Sequence, residues 1–450
     1  MHTVATLWGI EDLPRIDLDP EDLDRLPTSL AAAAVTHGPI FTTPANPDMW
    51  GDDPAGPPLI VFMVGPEANQ FILHTHRHHF SHDLGWTPFV GPLIGKGLLN
   101  MDGEAHARDR KLMNPAFTVA YMARYLPIMQ RVIATRTADW AARGAVDLHD
   151  EMRKIAFDVA AEALVGMPTG PQVDHLRDLF YDLFHGFDVA RETWEEYALR
   201  MLMTQRELNM TLLNEIAHRR QSPTDDILGF MVQARAEDGR ELSDEQLLGH
   251  VNILLVAGHE TTTTLSAWLL YELARHPETL AEVRAEMDVA LGDGATLSLE
   301  GLRGLKALGW TIDETGRFHA PVRNAPRGVV KDFEFAGYTI PAGSQVRYSI
   351  GATHRLPSLW REPDRWDPQR FAPPREEQRQ HPFAFLPFGA GPRICIGLHF
   401  AQVEVKAMAA HILRAYDLTP LDAQPPAEIG FITTVPDRPM RVRVTPHLAG

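Results

Sequence analysis

The chain of 450 residues holds one cysteine, Cys395, in the run Phe388-Gly389-Ala390-Gly391-Pro392-Arg393-Ile394-Cys395-Ile396-Gly397. A lone cysteine has no internal disulfide partner, so it is a small buried hydrophobe, a nucleophile or a metal ligand. Its neighbours favour the last. Gly389, Gly391 and Gly397 remove side chains where a flat, bulky group would approach the backbone. Pro392 stiffens the loop and withdraws one N–H. Arg393 sets a fixed positive charge two residues from the sulfur. After Gly397, Leu398 to Ala410 carries apolar residues at helical spacing. The sulfur is therefore expected at a helix N-terminus, where free N–H groups and the helix dipole favour a thiolate. A thiolate in a glycine-rich loop suits an iron ligand better than a packing residue.

A second place breaks the local rules. Gln246 to His276 reads as one helix stopped by Pro277, and Val251, Ile253, Leu254, Leu255 and Val256 leave it little polar face, so it is expected to be buried. Its middle nevertheless reads Ala257-Gly258-His259-Glu260-Thr261-Thr262-Thr263-Thr264. Glycine costs about 1 kcal/mol against alanine in a helix, and β-branched residues are mediocre helix formers. A buried carboxylate is expensive unless partnered. Such violations concentrate at functional sites. The Thr261 hydroxyl can bond back to a carbonyl and bend the helix, or hold a water. Glu260 can carry a proton toward a buried site. The bland alternative is a satisfied polar cluster in a core helix. Further on, Glu314-Thr315-Gly316-Arg317 puts an acid and a guanidinium three residues apart on one helix face, a spacing that surface helices also use freely.

Taken together these motifs resemble the cytochrome P-450 family of haem-thiolate monooxygenases. The family's ligand loop, Phe-x-x-Gly-x-Arg-x-Cys-x-Gly, is filled at every fixed position by Phe388, Gly391, Arg393, Cys395 and Gly397. Ala257 to Thr261 resembles its Ala/Gly-Gly-x-Asp/Glu-Thr motif. The resemblance implies a mainly α fold with a smaller β part, an α-rich triangular prism crossed by a long central helix. It implies haem b (iron protoporphyrin IX) with Cys395 as the iron ligand. Ala257 and Gly258 would clear space beside that cofactor, and Glu260 and Thr261 would govern proton delivery during O2 activation. Phe388, Gly389 and Gly397 belong to the haem-binding loop. His106, Arg110, Arg327 and Arg393 are the expected donors to the two haem carboxylates. His106 stands where many relatives carry tryptophan, and a surface charge is the alternative for Arg327. Glu314, Arg317 and Arg370 resemble the family's buried support for the cysteine loop, with Gly316 where a larger apolar residue is usual.

The implied activity is hydroxylation or epoxidation of a lipophilic small molecule, such as a fatty acid, terpenoid or retinoid. Electrons would come from a separate ferredoxin and ferredoxin reductase or a similar donor. The alternatives are a peroxide-driven or non-oxygenating haem-thiolate enzyme, and a non-catalytic haem or lipophile carrier. Substrate contacts by analogy fall in the 80–102 loop with Leu98, in Phe180 to Phe187 with Phe184, at Val256 and Ala257, in Ala320 to Ala325 with Val322, and in Ile432 to Thr434. Core packing is the alternative for Phe180, Phe184 and Phe187. Phe157-Asp158-Val159-Ala160-Ala161 and the C-terminal half resemble the branch that contains retinoic-acid hydroxylases.

The elements that must position these residues follow from pattern. Leu59 to Val64 reads as a strand, with a helix from Glu67 to about His74. His106 to His218 reads as helical, broken at Pro115, Gly144, Pro168 and Gly186. Thr224-Asp225-Asp226 and Ser243-Asp244-Glu245 read as N-caps. Asp332 to Ile340 reads as a hairpin, and Val346 to Ser349 as a further strand. Motifs assigned to one site span His106 to Cys395 with no Gly/Ser linker or repeat between them, so residues 1–450 are expected to form one domain despite a length that would suggest about three. A formal charge of −17 argues against nucleic-acid binding. Met1 to Asp24 has neither a signal-peptide pattern nor an apolar span, and one cysteine fits a reducing compartment, so an unanchored cytoplasmic monomer is expected. Arg108, Lys111 and Arg124 form a basic patch, either a solvated helix face or a dock for an acidic ferredoxin-like partner. His74, His76, His78, His79 and His82 cluster without the spacing of a defined metal site, and a solvated helix end is the favoured reading.

Overall fold

The computed structural model describes residues 9–17, 25–44, 59–184, 193–235, 239–292, 296–430 and 433–448. Helices dominate. In chain order the longer ones are α1 (Leu26–His37), α2 (His82–Ile94), α3 (Gly103–Met113), α4 (Met122–Thr137), α5 (Leu148–Val165), α6 (Pro171–Phe184), α7 (Trp194–Gln221), α8 (Asp244–Arg275), α9 (Pro277–Leu291), α10 (Lys306–Phe318) and α11 (Leu398–Ala415). The strands are β1 (Ile40–Pro44), β2 (Leu59–Val64), β3 (Phe80–Ser81), β4 (Ala145–Asp147), β5 (Asn324–Val329), β6 (Phe333–Phe335), β7 (Tyr338–Ile340), β8 (Gln345–Ser349), β9 (Tyr416–Pro420), β10 (Glu428–Ile429), β11 (Val435–Pro436) and β12 (Arg441–Pro446). The chain divides into two compact units. One comprises 1–86, 306–395 and 424–438, and the other 87–305, 396–423 and 439–450.

The first unit is built on a sheet of order β1-β2-β8-β5-β3, in which β2 and β8 run parallel and the other neighbours antiparallel. Its core packs Leu30 and Ala31 of α1 against Phe41, Phe62, Trp360 and Phe371. The expected hairpin is β6 paired with β7. The helix expected over 67–74 is regular only from Pro66 to Gln70 and then widens to a π turn over Phe71–Thr75. That turn later proves to touch the cysteine loop.

The second unit is mostly helical. Its long helix α8 opens on a reciprocal cap: Ser243 Oγ accepts the Gln246 N–H at 3.2 Å and the Gln246 side chain accepts the Ser243 N–H at 3.0 Å. Asp226 likewise caps the short helix that follows it, accepting the Gly229 N–H at 2.6 Å. Pro277 does end α8, and it also opens α9, since its fixed φ suits a first helical turn. α5, apolar on most sides, packs along α8 and ends at Gly166 in the left-handed region (φ +74°). Within the stretch read as helical, one element was not expected. β4 interrupts the helical stretch with three residues that pair with β12, Val146 opposite Val442. A strand that short takes its identity from a distant partner and leaves no local pattern. α11 also runs to Ala415, five residues past the expected end. The Gly186 break lies outside the described residues.

Candidate active site

In the first unit, Cys395 sits at the end of a loop tied to itself. The Cys395 N–H donates to the Phe388 carbonyl at 2.9 Å, and the Gly389 N–H to Leu386 at 3.2 Å. The loop is anchored from behind by His354, whose Nε2 accepts the Leu386 N–H at 3.1 Å. Because Nε2 accepts, the ring must be neutral, and its complete burial pushes the His354 pKa down to about 3. Gly389 (φ +69°) and Gly391 (φ +66°) occupy the left-handed region. A Cβ on Gly391 would lie 2.7 Å from the Leu73 carbonyl oxygen of the π turn, so glycine is required there on two counts. Cys395 is exposed, as a ligand to an added group must be. Gly397 caps α11, and the Ala401 N–H bonds its carbonyl at 2.8 Å.

Behind the loop stands the charged trio. Glu314 and Arg317 on α10 and Arg370 are all fully buried. Glu314 accepts from Arg317 Nε at 2.7 Å and Arg317 NH2 at 2.9 Å, from Arg370 Nε at 3.1 Å, and from the Asp367 N–H at 2.7 Å. Gly316 is buried on the same helix and the ion pair forms regardless. The arginines spend their remaining donors on carbonyls of the 354–365 segment. Arg370 has a second acid, Glu377, at 2.8 Å. The trio thus pins the segment between β8 and the cysteine loop.

In the second unit, the unusual run of α8 resolves into separate jobs. Thr261 Oγ1 donates to the Ala257 carbonyl at 2.8 Å, the expected bond back along the helix. Ala257 is exposed. Gly258 needs a different account from the one its motif suggests. A Cβ there would meet Leu164 at 3.3 Å and Ala160 at 3.6 Å, so the glycine admits α5 to close packing. The Glu260 carboxylate lies 2.9 Å from His259 Nε2. Burial alone would push the Glu260 carboxyl up, but His259, with His149 and Arg153 of α5, more than reverses this and holds it below the usual range.

The remaining candidates fall as follows. Arg327 is buried, 3% exposed, with its guanidinium 5.1 Å from the Tyr348 ring centre and donating to Pro326, which removes the surface-charge alternative. His106 is buried on α3, and Arg110 is half-buried on the same helix. Phe180 is core: its ring meets Phe157 at 5.7 Å and His259 at 6.2 Å. Phe184 ends α6 half-buried, and Phe187 lies outside the described residues, as does Ile432. Leu98 and Val256 are buried, Val322 half-buried, and Thr434 is buried with its hydroxyl on the Ala320 carbonyl at 3.2 Å. In the basic patch Arg108 is bound to Asp109 at 2.7 Å and Arg124 to Asp225 at 3.3 Å, which reduces its positive field. In the histidine cluster His76 stacks on Phe71 at 3.9 Å, while His79 is buried and donates to the Lys331 and Asp332 carbonyls. This is packing at a helix end, and among the described residues no group of acids, histidines or cysteine has metal-site geometry.

A mainly α chain with this cysteine loop and buried acid–arginine trio has a known counterpart. The sequence profile of the Cytochrome P450 family matches residues 55–444. The chain is 33% identical over 397 residues to the "Putative cytochrome P450 136" of Mycobacterium tuberculosis, covering 84% of this chain and 78% of that one. It is 29% identical to the "Sterol 14alpha-demethylase" of Mycolicibacterium vanbaalenii, over 82% and 83% of the two chains. Among solved structures it superposes on "Retinoic acid bound cyanobacterial CYP120A1" with a TM-score of 0.84 at 26% identity, over 98% of this chain and 100% of that one. The chain belongs to the cytochrome P450 family and is an oxidoreductase of the monooxygenase class. The family binds haem through a cysteine thiolate and uses O2 with electrons from a redox partner. No helix among the described residues is long and apolar enough to cross a membrane.

Proposed function

We propose that this protein hydroxylates or epoxidises a lipophilic small molecule, with Cys395 as the haem-iron ligand and a separate ferredoxin-type protein as electron donor. The observation that carries the reading is the chain's only cysteine, exposed at the tip of a loop whose glycines take left-handed conformations. The residues fit haem: a soft sulfur donor for iron, backbone without side chains beside it, and arginines suited to the two carboxylates. By motif position Cys395 would bind the iron. Phe388, Gly389 and Gly397 would form the bed of the loop, and His106, Arg110, Arg327 and Arg393 would serve the carboxylates. The single domain expected from the sequence is consistent with one family profile running across both compact units.

The haem supplies O2 binding and activation when bound, helped by a thiolate that favours O–O cleavage. The protein's own residues do the rest. The Phe388 carbonyl holds the Cys395 N–H, and His354 anchors the same loop through the Leu386 N–H. Glu260 holds a proton-exchanging carboxylate one residue from the Thr261 hydroxyl. Leu98, Val256, Val322, Phe184 and Thr434 are the proposed substrate contacts, and their mix of apolar side chains with one hydroxyl suits a retinoid, sterol or fatty acid over a small hydrophilic metabolite. The ligands named for the two relatives, a sterol and retinoic acid, lie in that class.

Three measurements test this. The carbon monoxide difference spectrum of the reduced protein is expected to carry the thiolate signature, and Cys395→Ser is expected to abolish it; an unchanged spectrum in the variant would remove Cys395 as ligand. Optical titration with retinoic acid, sterols and fatty acids is expected to shift the main haem band to the blue for one class. Turnover supported by peroxide but not by O2 with a ferredoxin and its reductase would replace the monooxygenase reading with the peroxide-driven one.

A further inference from the structure

His259 has no role in the motif that contains it, yet its ring fixes the chemistry of Glu260. Nδ1 lies 2.7 Å from the Leu255 carbonyl oxygen, and Nε2 lies 2.9 Å from a Glu260 carboxylate oxygen. A carbonyl oxygen only accepts, so Nδ1 carries hydrogen. An ionised carboxylate also only accepts. A neutral imidazole protonated at Nδ1 would therefore oppose two lone pairs across 2.9 Å. A proton must lie between Nε2 and the carboxylate. The pair holds one proton more than a neutral imidazole and a carboxylate hold together.

The surroundings decide where that proton rests and how it is reached. His259 is 2% exposed and Glu260 15%, so the histidine stands behind the acid, away from water. The Phe157 ring of α5 and the Phe180 ring of α6 close on the imidazole at 5.0 and 6.2 Å. The charged or titratable groups that act on Glu260 from α5 are His149 and Arg153. Arg153 is bound to Asp150 at 2.8 Å and covers the Tyr181 ring of α6 at 4.1 Å. Burial, and Arg153 after it, keep His149 neutral, so His149 is not the store. Burial raises the Glu260 carboxyl and the cations around it more than reverse this, so Glu260 is the ionised member of the pair.

We propose that His259 is the proton store of the Glu260–Thr261 pair: resting as an imidazolium behind the ionised acid, it passes its Nε2 proton to the Glu260 carboxylate, which then gives it forward. This rests on the haem-thiolate reading. In the step the Nε2–H bond of His259 breaks and an O–H bond forms on Glu260, with no electrons transferred. The store refills from water through Glu260, the more exposed partner. His259 is thus a positioning residue that acts through Glu260.

The test uses holoprotein labelled with 15N-histidine, reduced and bound to carbon monoxide so that the iron is diamagnetic. At pH 7.5 an imidazolium resonance is expected that is absent in His259→Gln and converted to a neutral ring in Glu260→Gln. A neutral His259 in the unmodified protein at that pH would overturn the proposal. A second readout is O2 uptake with a surrogate ferredoxin and its reductase. His259→Gln can still donate an N–H to Glu260 but stores no proton, so uptake should fall about tenfold, less than the roughly 10²–10⁴ of a direct general acid. It should also gain a larger solvent isotope effect, and His259→Gln added to Glu260→Gln should slow that variant little further. Uptake within twofold of the unmodified protein would equally overturn it. Loss of the thiolate signature in the unmodified protein would instead refute the haem-thiolate reading, which the nitrogen resonances do not depend on.

Discussion

Glu314→Gln is expected to destabilise the protein by about 3 kcal/mol, and Glu314→Ala by about 5, the range for removing one partner of a buried ion pair. The particular contacts set where in that range each falls. Glu314 serves two guanidinium groups and one backbone N–H, all fully or largely out of water. The two arginines do not lose equally. Arg370 keeps Glu377 at 2.8 Å. Arg317 keeps only the carbonyls of His354, Pro363 and Arg365, so it alone becomes an uncompensated buried cation. The Phe318 and Trp360 rings lie 5.6 and 5.4 Å from its guanidinium carbon, and at about 0.5–2 kcal/mol each they offset only part of the loss. Glutamine keeps the shape and one acceptor, which puts it at the lower end. Glu377→Gln is the matched control: Arg370 retains Glu314, so about 1 kcal/mol is expected. Urea unfolding followed by far-ultraviolet circular dichroism and by the haem band would read all three, with coincidence of the two probes as the check on two-state behaviour. Equal losses in Glu314→Gln and Glu377→Gln would refute the assignment of Arg317 as the uncompensated charge.

Other outcomes follow from single groups. His354 is neutral when folded, with its pKa depressed to about 3, against an ordinary 6.5. The unfolded chain therefore binds the extra proton first, and stability should fall as pH drops from about 6.5 toward 3. His354→Gln, which keeps an acceptor for the Leu386 N–H, should flatten that slope in acid titrations of unfolding. Glu404 on α11 has the opposite sign. Neither of its carboxyl oxygens meets a hydrogen-bond donor among the described residues, and burial pushes its pKa well above the usual range. The native state then holds the extra proton, so stability should decline as pH rises above about 4.5, and Glu404→Gln should be more stable than the unmodified protein at pH 8 by about 1–3 kcal/mol. Equal stability of the two at pH 8 would show the carboxyl to be satisfied. Gly391→Ala should lose the thiolate signature in the carbon monoxide spectrum, because its Cβ would press on the Leu73 carbonyl from a left-handed backbone; full signature at normal haem content would contradict this.

What could be read from the sequence and what could not divides along physical lines. Ser243, Asp226 and Pro277 act through neighbours within four residues, and each marks the helix end it appeared to mark. The cysteine loop announces itself because glycines, an arginine and a thiol cluster in one short segment. Glu314 and Arg317 are readable as a pair, but that the pair is buried depends on Arg370 and the 354–365 carbonyls, which are far away in sequence. β4 exists only because β12 passes beside it. Gly258 shows the limit most plainly. A glycine in a buried helix announces that something approaches closely, and the approach here is by Leu164 and Ala160 of α5. The letter gives the space and leaves its occupant open.

His259 was missed for a more specific reason. Adjacent residues on a helix point about a hundred degrees apart and are not counted as neighbours. The histidine ring escapes that rule because it is long enough to turn Nδ1 back onto Leu255, four residues earlier, and still present Nε2 to the next residue's carboxylate. The first contact fixes the tautomer and the second then requires a proton. Neither hydrogen bond alone would say anything about charge, since either nitrogen can donate in a neutral ring. It is their conjunction on one imidazole, with both partners restricted to accepting, that makes the protonation state a consequence of geometry. The same logic says which substitution is informative. Asparagine or phenylalanine at position 259 would alter packing against Phe157 and Phe180 together with the proton, whereas glutamine comes nearest to removing the proton while keeping reach and a donor.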